Sequence, residues 1–94
     1  MKENGSYNPQ TKKENSAQSK ALSHLILHND DYNTFDYVIE CLVEVCNHNE
    51  VQAEQCAYIT HFKGKCDVKS GEFEALKPLK DNLIERGLNA SIDK

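Results

Sequence analysis

Recurring apolar spacing in this 94-residue chain starts only at Leu22. Before it, residues 1–20 carry Gly5, Pro9, Ser6, Ser16, Ser19 and four lysines with no apolar periodicity, so they bury too little surface to offset the entropy of becoming ordered. The expected organisation is a flexible N-terminal tail over residues 1–20 and one folded domain over residues 21–94. So small a domain has a modest core and little room for a deep enclosed active site. That favours a binding module with a surface groove over an enzyme.

The charge balance narrows the partners. Net charge is −4 and the pI is near 5.5, and the lysines are scattered instead of gathered on one periodic face. Nucleic acid is therefore not an expected partner, and a cationic ligand fits better. No stretch approaches the roughly 18 apolar residues of a membrane span, and the start Met1-Lys2-Glu3-Asn4 lacks the apolar centre of a signal peptide. The expected setting is cytoplasmic, without a membrane partner, and the expected state is monomeric. There Cys41, Cys46, Cys56 and Cys66 stay reduced. They form no Cys-x-x-Cys pair, and adding His24, His28, His48 and His61 makes no zinc knuckle, so neither a metal nor any other cofactor is expected. Cysteines within helical patterns read as small core hydrophobes.

Residues 22–28 alternate as a strand, Leu25 and Leu27 on one face and His24, Ile26 and His28 on the other. Asn33 or Thr34 then caps a helix in which Phe35, Val38, Ile39, Leu42, Val45 and Cys46 recur at three- and four-residue steps, with Val38 on the deepest stripe. Asn47-His48-Asn49 interrupts it, and Asn49 with Gln52 imitates a capping box for a second helix reaching Lys63. Gly64 supplies a left-handed stop. Residues 65–69 alternate as a second strand. Pro78 leaves two options: a kinked helix over 72–86, or a turn and a helix starting near Lys77 with Pro78 in its first turn. Gly87 ends either one, and residues 88–92 form the last strand. The expected fold is α+β: a small three-stranded antiparallel sheet with three helices on one face, in the order β-α-α-β-α-β. The other sheet face is expected to stay wet.

Two features suggest chemistry. Asn29-Asp30-Asp31-Tyr32 crowds an amide and two carboxylates into the strand-to-helix turn, although aspartates also occur in turns simply because they bond nearby backbone N–H groups. Ala57, Thr60 and His61 share a stripe of the second helix, with His61 near its C-terminus. These residues, namely the Asn-Asp-Asp-Tyr turn, the helix that follows it, and His61-x-x-Gly64-Lys65, together resemble the ClpS family of Clp protease adaptors, aligning without gaps from about Ser23 to Gly64.

The resemblance implies capture of N-degron substrate proteins, whose free N-terminal residue is large and hydrophobic. It places Asn29, Asp30, Asp31 and His61 around the α-amino group. Asn33, Phe35, Val38, Ala57, Thr60 and Leu88 line the side-chain pocket. It also implies docking on the N-terminal domain of a Clp-type AAA+ unfoldase, near Glu74 and Lys80, with the tail assisting delivery. The chemistry is reasonable: an α-amino group is mostly ammonium at neutral pH, and oxygen atoms and a neutral imidazole accept its protons. The chain departs from the family where many members have Thr-Pro-Met and it has Asn33-Thr34-Phe35, and where they often have methionine and it has Ala57. The pocket is therefore expected to be reshaped. The alternative reading is a docking domain without N-degron recognition, similar in fold to the ribosomal stalk protein's C-terminal domain; an enzyme is not expected.

Overall fold

Alternation along Ser23–His28 builds the middle strand of the molecule. In the computed structural model, which describes residues 22–94, this strand is β1. It is followed by α1 (Phe35–Cys46), α2 (Glu50–Lys63), β2 (Lys65–Gly71), α3 (Phe73–Glu85) and β3 (Asn89–Asp93). β1 pairs antiparallel with both neighbours, giving the sheet order β2-β1-β3. This is the expected α+β fold and element order; the expected tail lies outside the described residues. Strand ends differ slightly from expectation. Leu22 falls outside β1, β2 runs two residues further to Gly71, and β3 starts one residue later, because pairing partners and not alternation decide where a ladder ends.

Local chemistry starts and stops the first two helices. Thr34 Oγ1 accepts from the Tyr37 N–H at 3.1 Å, and Asn49 Oδ1 accepts from the Gln52 N–H at 2.8 Å, so Thr34 caps α1 and Asn49 caps α2. Asn47 (φ 60°) and Gly64 (φ 93°) end them in the left-handed region. α3 is the first of the two options, one helix with Pro78 inside it. Proline in a helix interior costs about 3 kcal/mol. Here Leu76 and Leu83 are fully buried on either side of it, so packing outweighs the missing hydrogen bond.

The core lies between one sheet face and the three helices. Leu25 and Leu27 from β1, Leu42 from α1, and Leu76 and Leu83 from α3 are fully buried, each stabilising the fold by roughly 1.5–3 kcal/mol. α2 contributes only Ala53, Ala57 and Thr60, and these small side chains let it lie close to the sheet. The deepest stripe of α1 is Cys41, Leu42, Val45 and Cys46. Val38 is only half-buried and Phe35 is 38% exposed, because the first turn of α1 overhangs the edge of the core. Nor is the outer sheet face wholly wet. Ile26 is buried there, on the central strand between Asp67 and Ser91. His24, bonded to Asp67 and Ser70, and His28, bonded to Ser91, flank it.

The four cysteines are free thiols, Cys56 being the half-buried one. Burial pushes the Cys46 thiol up to about 11 and that of Cys66 to about 12, which keeps both protonated and unreactive at neutral pH. His48, read from sequence only as part of a helix break, is buried. Its Nε2 lies 2.7 Å from the Val68 carbonyl, where β2 bulges opposite Leu25 and Ile26.

Candidate functional site

Asp30 organises the turn after β1. Its Oδ1 accepts the backbone N–H of Tyr32 and of Asn33, each at 2.9 Å, and its Oδ2 accepts the side-chain amide of Asn33, also at 2.9 Å. Burial alone would push this carboxyl up, but the N–H of Asn33, its side-chain amide and the N–H of Tyr32 together hold it below the usual carboxylate value. The turn is then pinned at two points. The Asn29 N–H donates to the Gly64 carbonyl at 2.9 Å, which sets the acidic turn beside the end of α2 where His61 sits. The Asn33 amide also donates to the Gly87 carbonyl at 3.0 Å, and the Tyr37 hydroxyl donates to the Arg86 carbonyl at 2.6 Å. An Arg86–Glu44 ion pair at 2.5 Å holds the same α3–β3 turn against α1. Leu88 follows directly.

These ties close a cavity of about 290 Å³ between the turn, the first half of α1, the last turns of α2 and the start of β3. Its apolar wall is Leu27, Phe35, Val38, Ala57 and Leu88. Thr60, buried in the same wall, is satisfied internally: its hydroxyl donates to the Cys56 carbonyl at 2.8 Å. Asn29, Asp31 and His61, all exposed, stand at the polar rim. Asp31 adds negative charge, and His61, in the last turn of α2, is near the helix carbonyls that favour a cation.

An apolar wall beside exposed acceptor groups suits an apolar side chain carrying a small cationic head group. Among the described residues the cavity lining includes no cysteine, serine or lysine to act as a nucleophile. Among the described residues no group of three or more His, Cys, Asp or Glu side chains is placed to hold a metal ion, and no helix is long and apolar enough to cross a membrane.

A family model described as ATP-dependent Clp protease adaptor protein ClpS matches residues 18–91. The chain belongs to the ClpS family. Among curated ClpS adapter proteins, it is 30% identical over 66 residues to that of Nitratidesulfovibrio vulgaris, covering 68% of this chain and 66% of the relative. It is 32% identical over 59 residues to that of Clostridium acetobutylicum (63% and 58%), and 29% identical over 77 residues to that of Pectobacterium carotovorum (80% and 73%). The match thus spans less than two thirds of the length of the first two relatives. Among solved structures, Agrobacterium tumefaciens ClpS2 bound to L-phenylalaninamide superposes with a TM-score of 0.71 at 22% identity, covering 77% of this chain and 94% of that one. At that identity the likeness shows the fold.

In this ClpS chain all ten residues assigned from sequence to amine and side-chain recognition border the one cavity. Two of them have structural work besides. Both oxygens of Asp30 are already engaged, leaving Asn29, Asp31 and His61 as the freer acceptors. Asn33 is a strut between the acidic turn and Gly87. Glu74 and Lys80 lie on α3 away from the cavity lining, Glu74 exposed and Lys80 Nζ 3.8 Å from Asp81. Sequence reading missed Leu27, His28 and Thr34 in the lining, since strand alternation gave Leu27 to the core and a capping role accounted for Thr34. It also missed Tyr37, Glu44 and Arg86, whose contacts span more than forty residues and leave no local signal.

Proposed function

We propose that this ClpS-family protein binds protein substrates through a free N-terminal residue with a large hydrophobic side chain and delivers them to a Clp-type AAA+ unfoldase. The observation that carries the proposal is the division of the cavity: apolar in its depth, with Asn29, Asp31 and His61 at one rim. An N-terminal residue has this polarity, an apolar side chain on the carbon that bears an ammonium. Phenylalaninamide, bound by the A. tumefaciens protein, is the smallest molecule of that form, a free α-amino group next to a benzyl side chain and an amide. On this chain Asn29 Oδ1, the Asp31 carboxylate and a His61 ring nitrogen accept hydrogen bonds from the ammonium, and Asp30 holds the turn that presents them. Charge-assisted bonds of this kind contribute about 1.5–3 kcal/mol, which separates a free from a blocked N-terminus by at least about tenfold. The apolar wall excludes charged side chains by desolvation.

The unfoldase's N-terminal domain docks on the adaptor core near Glu74 and Lys80, outside the cavity, so that substrate and unfoldase bind together. Residues 1–20 act in the transfer. The adaptor works as a monomer in the cytoplasm without a cofactor and performs no catalysis itself.

Fluorescent peptides beginning with leucine or phenylalanine, each with a free or an acetylated N-terminus, test the proposal by anisotropy. Binding of the free peptides alone is expected. Equal binding of acetylated peptides refutes amine recognition. No binding of either form leaves a docking domain without N-degron recognition.

A further inference from the structure

Phe35 and His61, both in the cavity wall, are also the inner members of a run of rings that continues outside it. The Phe35 centroid lies 5.1 Å from Tyr58 and 5.1 Å from His61. Tyr58 stacks on Phe62 at 5.9 Å with 7° between their planes, and His61 meets Phe62 edge-on at 4.9 Å. These rings remain in solvent, with Phe35 38%, Tyr58 51% and Phe62 72% exposed. Tyr58 and Phe62 belong neither to the cavity lining nor to the core. Helix α2 does not need them, because polar residues on an outward face would support it equally well. A contiguous aromatic surface left open at the lip of a cavity marks an interaction site.

We propose that Phe35, Tyr58 and Phe62 form a second subsite that takes the side chain of the substrate's second residue and favours an aromatic side chain there. This rests on the reading that the first residue fills the cavity with its amine at the rim. Consecutive Cα atoms are about 3.8 Å apart, so a first residue whose ammonium lies at His61 leaves its successor near the Phe35–His61 lip. From there a ring reaches Tyr58 and Phe62, which present parallel faces for offset stacking. An acidic second residue is disfavoured instead, since it meets the exposed Asp31 carboxylate at the same rim and gains nothing from the rings.

Anisotropy with three free-amine peptides, beginning leucine-alanine, leucine-phenylalanine and leucine-glutamate, tests this on the full chain and on Tyr58→Gln and Phe62→Gln. Glutamine keeps a good helix former at each site. Wild type is expected to bind the leucine-phenylalanine peptide about fivefold tighter than leucine-alanine, and leucine-glutamate more weakly than either. Either variant is expected to reduce the phenylalanine preference below about twofold while holding leucine-alanine within about twofold of wild type. Equal wild-type affinity for the first two peptides, or a preference that survives in both variants, overturns the second subsite while leaving amine recognition in place. Failure of all three peptides to bind wild type removes both.

Discussion

Asp30 carries the acidic turn through three accepted hydrogen bonds. Asp30→Ala is expected to lower stability by about 1–2 kcal/mol at neutral pH and to weaken peptide binding, because the turn that presents Asn29 and Asp31 loosens. The pH sign follows from the depressed carboxyl. A group with a folded pKa below its ordinary value near 3.8 stabilises fully above that value, and its contribution disappears as pH falls through the lower folded value. Thermal melts of wild type and Asp30→Ala should therefore converge below about pH 4; a constant gap would show that the carboxylate is not the source. Ala57 makes the second residue-scale prediction. It is buried in the cavity wall, so Ala57→Met, which adds three heavy atoms there, is expected to weaken peptides beginning with tryptophan or phenylalanine about tenfold relative to leucine. An unchanged ranking, measured by anisotropy, would mean that this position does not shape selectivity. At this scale the capping role of Asn49 was legible and the cap of α1 was narrowed to Asn33 or Thr34, since a cap and its N–H partner lie within three residues of each other. The engagement of Asn33 with Gly87 was not, because its partner is remote in sequence.

Gly64 joins two elements. Its positive φ ends α2, and its carbonyl receives the Asn29 N–H, so one residue sets the distance between the acidic turn and His61. A Cβ at Gly64 meets nothing within 4 Å, and the penalty for Gly64→Ala is thus conformational, about 1–2 kcal/mol. The expected outcome is a lower melting temperature together with weaker binding of a leucine peptide. A variant that melts lower yet binds unchanged would show that the cavity does not depend on this junction. Among elements, α1 was readable from its apolar periodicity between an Asn33 or Thr34 cap and the Asn47-His48-Asn49 break, and α2 from its cap at Asn49 and its stop at Gly64. α3 left two options because a proline inside a helix is a local conflict, resolved only by the burial of Leu76 and Leu83. The first turn of α1 was misread for a related reason. Periodicity shows that Phe35 and Val38 share a stripe with Leu42, but not that the core ends before that stripe does.

Among the described residues, those lining the cavity fall between Leu27 and Leu88. Removing residues 1–20 is therefore expected to leave the affinity for free-amine peptides within about twofold while slowing degradation of a leucine-initiated substrate by the unfoldase and its protease; equal degradation rates would exclude a delivery role. On the scale of the whole molecule, the order of elements and the α+β class were present in local patterns of residues a few positions apart, and the family in two short motifs, Asn29-Asp30-Asp31-Tyr32 and His61-x-x-Gly64-Lys65, taken together. The family pattern also named the residues around the cavity. What the tertiary structure alone decided is how those residues meet. The Asn29–Gly64, Asn33–Gly87, Tyr37–Arg86 and Glu44–Arg86 contacts draw together three segments far apart in the chain, the acidic turn with α1, the end of α2 and the α3–β3 turn. The small side chains of α2 bring it close to the sheet while its aromatic rings remain outside. Hydrophobic patterning sets which face of an element turns inward, but it carries no information on the polar contacts between elements that leave an opening at the edge of the core.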